Sequence, residues 1–267
     1  MANERFPTLT KALTLLFIAV LAGCVTTTDS RFAREADREE AINNYVQLAT
    51  AYVGQGNVDR ARHHIERALE LDGDNARALA AQGLVYQAQG EDRLAGESYR
   101  KALDADSEYT RGRVYFGAFL FSKGDFEAAR REFQRASQDT DYNDRASIFF
   151  NLGMTEERLG NLTSAEVAYR RAMEISRGEP LSLLALSRVL LEQGKHSEAS
   201  RYYSQLQQLI QRSPRLAHSP ESLYTGIQIA RHLQDRNQEA SLALLLRNEY
   251  PESEEYQQYK ALIANEQ

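Results

Sequence analysis

The chain has 267 residues, 42% hydrophobic and 26% charged, a balance that supports one large domain or an elongated array. Its net charge of −6 argues against a nucleic-acid partner, which would favour a basic face. A single cysteine, Cys24, excludes an intrachain disulfide.

The N-terminal element comes first. Arg5 and Lys11 precede an apolar run from Ala12 to Leu21, which has the length of a signal-peptide core and is too short to span a bilayer. The run ends in Leu21-Ala22-Gly23-Cys24, which resembles the bacterial lipobox. That resemblance implies cleavage before Cys24, a thioether-linked lipid on its sulfur and acylation of the new N-terminus. Residues 1–23 are then a signal peptide and residues 24–37 a polar, Thr-rich lipidated tether. Val25 stands where Asp would signal retention in the inner membrane, so the resemblance implies sorting to the outer membrane with the repeat domain in the periplasm. Loss of Glu4, Arg5 and Lys11 leaves an acidic body, so the acyl chains must hold the protein on the lipid surface.

From residue 42 the chain repeats with a period of 34. Ala49, Gly83, Gly117, Gly153 and Ser187 share the eighth position, and Gly56, Gly90, Gly124, Gly160 and Gly194 the fifteenth. Ala61, Ala95, Ala129, Ala165 and Ala199 share the twentieth; Ile65, Tyr99, Phe133, Tyr169 and Tyr203 the twenty-fourth. Two extra residues separate the third and fourth copies. A sixth, degenerate copy follows seven more, with Asp235 at the glycine position. The pattern resembles the tetratricopeptide repeat, although the chain has no tryptophan and carries Gly73 and Ser107 where a helix-ending proline is usual. The expected fold is all-α: a right-handed superhelix of about six helix pairs over residues 38–267, closed by a helix at Glu254–Ile263. The eighth and twentieth positions are expected to bring the two helices of a pair together, the fifteenth to turn the chain, and the twenty-fourth to fill the space between successive repeats.

No catalytic constellation is found. His63, His64, His196, His218 and His232 lack metal-ligand spacing and read as solvated surface residues, and no nucleophile elbow, phosphate loop or HExxH occurs. No enzyme activity, metal or cofactor is expected. The candidate site is the concave face, which in this repeat type is lined by positions two, five, nine and twelve of each first helix. About half of those positions are apolar here, where a solvated surface would be polar. Val46, Leu84, Val114, Phe121, Phe150 and Met154 are the candidate partner-binding residues. The stripe is expected to fade in the sixth copy, at Ser222, Thr225 and His232.

Three further stretches are more specific: Ala136-Ser137-Gln138-Asp139-Thr140-Asp141-Tyr142, Phe149-Phe150-Asn151-Leu152-Gly153, and Asn248-Glu249-Tyr250-Pro251-Glu252-Ser253-Glu254-Glu255-Tyr256. Together with the lipobox they resemble the type IV pilus biogenesis/stability lipoproteins, the PilF/PilW family of pilotins, from Cys24 to about Tyr259. The resemblance implies six repeats, binding of outer-membrane secretin subunits, their carriage through the lipoprotein export machinery, and promotion of their assembly. The residues themselves leave open an adaptor for peptidoglycan enzymes or for outer-membrane protein assembly.

Overall fold

The structure, a computed structural model, describes residues 31–264, with side chains from residue 34. Cys24, the expected signal peptide and the first part of the expected tether lie outside the described residues. The described residues form thirteen α-helices and no strand. They pair as α1 (Arg31–Gly54) with α2 (Val58–Leu71), α3 (Ala76–Ala88) with α4 (Asp92–Ala105), and α5 (Thr110–Ser122) with α6 (Phe126–Ala136). The pairs α7 (Arg145–Arg158) with α8 (Leu162–Ser176), α9 (Pro180–Glu192) with α10 (His196–Arg212), and α11 (Pro220–His232) with α12 (Arg236–Glu249) follow. The last helix, α13 (Glu254–Ala264), packs on α11 and α12 and closes that end, as expected. Helix α1 begins at residue 31, so residues 31–37 of the expected tether are helical, in keeping with the helix-forming Arg, Ala and Glu side chains there.

Each pair turns on a residue with positive φ. Gly56, Gly90, Gly124, Gly160 and Gly194 all lie in the left-handed region, as their spacing demands. In the sixth pair Gln234 takes that role, with φ +61°, rather than Asp235. The sixth repeat is therefore displaced by one residue from the expected register, and its insertion is six residues, not seven. Ser222 and Thr225 are consequently buried, and Glu221, Tyr224, Gln228 and Arg231 occupy the lining positions.

The residue at position twenty-four does meet the next repeat, as the Tyr99 ring does Phe116 at 5.8 Å and Phe119 at 5.5 Å, but that is not its whole role. It lies on the small residue at position eight of its own repeat. A Cβ at Gly83 would meet the Tyr99 ring at 2.5 Å, one at Gly117 the Phe133 ring at 2.8 Å, and one at Gly153 the Tyr169 ring at 2.5 Å. Those three rings are among the largest fully buried side chains. The tyrosine hydroxyls run on through the pair to position twelve of the first helix: Tyr99 donates to Gln87 at 3.0 Å and Tyr169 donates to Glu157. Where position twenty-four has no hydroxyl, position twelve is apolar, as with Ile65 and Val53 or Phe133 and Phe121. Tyr203 breaks the rule, since Leu191 holds its position twelve; its hydroxyl lies instead beside Ser222 and Gly226 of the next repeat.

Successive pairs join where each second helix packs on the first helix of the next pair, and also along the first helices themselves. α1 packs on α3, α3 on α5, α5 on α7 and α9 on α11, while no second helix makes a comparable contact with the next second helix. The array therefore bends toward its first helices, and their free faces form its inner surface. One ionic knot ties the fourth and fifth repeats on the outer side. Glu166, buried on α8, accepts from Arg170 Nε at 2.8 Å and from Lys195 Nζ at 2.6 Å, and Arg170 also reaches Glu198 at 2.7 Å.

Two expectations follow. In Gly83→Ala, alanine's helix propensity gains about 1 kcal/mol, but its methyl overlaps a ring that is buried and held by Gln87. Overpacking of this kind costs roughly 1–3 kcal/mol and wins, so urea unfolding should show a lower midpoint at unchanged slope. The second concerns acid. Burial pushes the Glu166 carboxyl up, hydrogen bonds from Lys195 and Arg170 pull it down, and the net displacement is downward. A carboxyl depressed in the folded state adds stability that is complete above its unfolded pKa and is lost as pH falls through the folded pKa. Glu166→Gln should lower the melting temperature at pH 7, with the gap from wild type closing only as pH falls through the depressed folded pKa, below the usual glutamate range.

Candidate functional site

The inner face carries two cavities, separated along the array. The first, about 490 Å³, lies over the first three repeats. Val46 and Asn43 of α1, Arg77 of α3, and Thr110 and Arg111 of α5 line it, together with Asp139 and Tyr142 from the link between α6 and α7. Arg77 donates at 2.9 Å to both Glu39 and Asn43. The second cavity, about 450 Å³, lies over repeats three to five and is lined by Phe121, Met154, Glu157, Arg158, Arg188 and Glu192.

The six candidate groove residues divide between these places. Val46 lines the first cavity, and Phe121 and Met154 the second; Leu84, Val114 and Phe150 line neither. All six are half-buried and lean on the core: Leu84, Val114 and Phe121 on the cluster around Phe116 and Phe133, Phe150 and Met154 on the cluster around Tyr169, and Val46 on the one around Ile65. Phe121 meets Phe126 edge-on at 5.2 Å, and the Arg158 guanidinium caps both rings, 4.3 Å from the centre of Phe126. Phe121, backed by Phe126 and capped by the Arg158 guanidinium, and Met154 form the apolar floor of the second cavity.

Its polar wall is already organised. Arg188 bonds both oxygens of Glu157 at 2.9 Å and also bonds Glu221, so one guanidinium joins the fourth, fifth and sixth repeats across the inner surface. Burial works against its charge, but Glu157 and Glu221 outweigh that and raise its pKa. Burial, aided by Glu157, raises the Glu192 carboxyl. Arg158 and the link residues Asp139 and Tyr142 were not expected at the inner face. The sequence signal for the link was the two-residue insertion itself.

The histidines differ from the expectation of five solvated side chains. His64 stacks on Tyr52 at 5.5 Å, and His218 is half-buried with Nδ1 at 2.9 Å from the Ser222 hydroxyl. His196 and His232, distant in sequence, stack face to face at 4.1 Å, an arrangement that presents ring faces rather than converging nitrogens. Among the described residues no cluster of three or more His, Cys, Asp or Glu side chains is placed to hold a metal. Arg170 and Arg171 are ion-paired, Arg170 with Glu166 at 2.8 Å and Arg171 with Glu174 at 3.0 Å.

Six helix pairs turning on left-handed residues, a ring seated on a small residue in each of several pairs, and an inner surface made of first helices define a tetratricopeptide-repeat superhelix. A tetratricopeptide repeat model matches residues 46–110 and 120–180. The type IV pilus assembly protein PilF of Pseudomonas aeruginosa is 34% identical over 255 residues, spanning 95% of this chain and 99% of that one. The chain belongs to the PilF family and is a tetratricopeptide-repeat protein of type IV pilus biogenesis. The solved structure of Pseudomonas aeruginosa PilF superposes with a TM-score of 0.76 at 33% identity, over 84% of this chain and 99% of that chain. The structure of PilW, described as a widely conserved type IV pilus biogenesis factor, shares the fold with a TM-score of 0.70 at 24% identity, over 82% and 97% of the two chains.

The Arg188 bridge has a measurable role. Arg188→Met leaves Glu157 with only the Tyr169 hydroxyl and releases Glu221. Breaking a buried pair costs about 3–5 kcal/mol, and the partial exposure of all three groups reduces that to roughly 1–3 kcal/mol. Denaturant unfolding should show this loss, and the double variant Arg188→Met/Glu157→Gln should be more stable than the sum of the two single changes predicts.

Proposed function

We propose that this protein is an outer-membrane lipoprotein that acts as a pilotin, a scaffold without catalytic activity. It binds subunits of the type IV pilus secretin, travels with them along the lipoprotein export route and promotes their multimerisation at the outer membrane. The observation that carries the reading is the coincidence of two features. Leu21-Ala22-Gly23-Cys24 supplies a lipid attachment site, and the repeat array is similar from end to end to a type IV pilus assembly protein. The lipid supplies the address and the inner face the grip. Holding cargo on an anchored scaffold raises its local concentration at the membrane, which favours ring assembly without any new chemistry. The apolar floor of Phe121 and Met154 is where a cargo side chain would be buried.

The test is Cys24→Ser. Mass spectrometry of the wild-type mature N-terminus should find an acylated cysteine. The variant should lose membrane attachment and leave the secretin mislocalised and unassembled. An unmodified wild-type chain, or a wild-type chain with which no secretin co-purifies, would overturn the proposal. Met154→Ala combined with Phe121→Ala should weaken secretin binding more than tenfold, or about 1.4 kcal/mol.

A further inference from the structure

The first inner cavity owes one wall to the link between α6 and α7, the segment that departs from the 34-residue spacing. Asp139 accepts the Thr110 hydroxyl at 2.5 Å and the Asp141 N–H at 3.0 Å, and Arg145 donates to the Ser137 carbonyl at 3.2 Å. Tyr142 packs on the core cluster around Phe116 and Phe133. These contacts hold the link against the start of α5, and they set Asp139 and Tyr142 across the cavity from Val46, which comes from the first repeat.

Between these walls stands Arg111, an exposed residue at position two of the third repeat. Among the described residues no carboxylate forms an ion pair with it. Its strongest polar neighbours are phenols. Burial opposes its charge, hydrogen bonding to Tyr142 favours it, and the net displacement of its pKa is upward. Burial also pushes the Tyr109 phenol up to about 12 and raises Tyr115, so these rings give Arg111 hydrogen-bonding company and no negative charge. The other cation of the cavity, Arg77, is already engaged by Glu39 and Asn43. Among the cavity's acids, Asp106 accepts the Glu108 N–H at 2.9 Å, Asp139 is held by Thr110, and Glu108 is exposed. A charged guanidinium fork flanked by neutral phenols and lacking a counter-ion is a seat for a carboxylate, which it can bind through two parallel hydrogen bonds.

The shape of the cavity sets the second condition. Asn43, Arg77 and Arg111 hold position two in three successive repeats. Packed helix axes lie about 8–10 Å apart, so the trough runs roughly 20 Å, the length of about six residues of extended chain. A trough crossing three repeats suits the middle of a polypeptide better than its end.

We infer that this trough takes an extended internal segment of a partner polypeptide, with an Asp or Glu side chain on Arg111 and an apolar side chain against Val46, and that the link at residues 137–144 is the wall that selects it. This rests on the reading of the inner face as the cargo surface. A library of random heptapeptides, displayed by C-terminal fusion so that no free chain end is offered, tests it by selection on the full chain. Enriched sequences should share one acidic residue beside apolar ones. A representative, made as an amidated peptide, should bind the wild type at least tenfold more tightly than Arg111→Gln, and its acid-to-amide version should bind both proteins alike. Arg111→Lys, which keeps the charge and loses the fork, should fall between them. Circular dichroism checks the fold of the variants; should one fail to fold, the loss of affinity on changing the peptide's acid to its amide is read on the wild type alone. Absence of enrichment, enrichment without acidic residues, equal binding to folded Arg111→Gln, or binding restricted to free C-termini would each overturn the inference. The secretin reading is separable. Acidic peptides selected as expected while no secretin co-purifies would keep the chemistry of the trough and reject the cargo. Undiminished secretin binding by Arg111→Gln would keep the cargo and reject the trough.

Discussion

A ring lying where a side chain is missing organises this molecule. Tyr99 over Gly83, Phe133 over Gly117 and Tyr169 over Gly153 set how closely the two helices of a pair approach, and that distance sets how the next pair can stack. No helix of the array could bury its apolar face alone, so each pair is stable only as a neighbour of others. The same rings reach the functional surface. The hydroxyl of Tyr99 or Tyr169 emerges at position twelve of the first helix and fixes a polar residue there, while Phe133 leaves that place to Phe121. The polarity of the inner face is therefore partly decided in the core. Gln87 and Glu157 serve their own repeats before they serve any partner.

This explains what could be read from the sequence and what could not. Helix pairs and turns were legible because a left-handed turn has a cheap residue, glycine, and five repeats use it at a fixed place. The sixth repeat was misplaced by one residue because Gln234 adopts the same conformation without that mark, and nothing local distinguishes it from Asp235. The aromatic position was legible as buried, but not which small residue it covers. That depends on the offset between two helices, which periodicity along one chain does not record.

The candidate groove was legible by position and only partly by chemistry. Val46, Phe121 and Met154 do face cavities, whereas Leu84, Val114 and Phe150 lean on the core beside them, because one position of a helix can serve either role depending on the neighbouring repeat. The ion bridge from Arg188 to Glu157 and Glu221 joins residues more than thirty positions apart, and so does the stack of His196 on His232. Such partners are chosen in space, out of reach of any local pattern. Cys24 stands at the other extreme: its meaning lies wholly in the sequence around it.

The unequal seams between repeats also give the array a mechanical character. Each second helix packs on the next first helix, first helices also touch one another, and second helices meet through side chains, as Arg170 does Glu198. Motion that closes the inner surface further must compress first-helix side chains already in contact, while motion that opens it works against the packing of each second helix on the next first helix. Arg188 ties the fourth, fifth and sixth repeats across the inner face and Arg77 ties the first and second, so a load that opens the array should part it first at the third repeat, which neither arginine reaches.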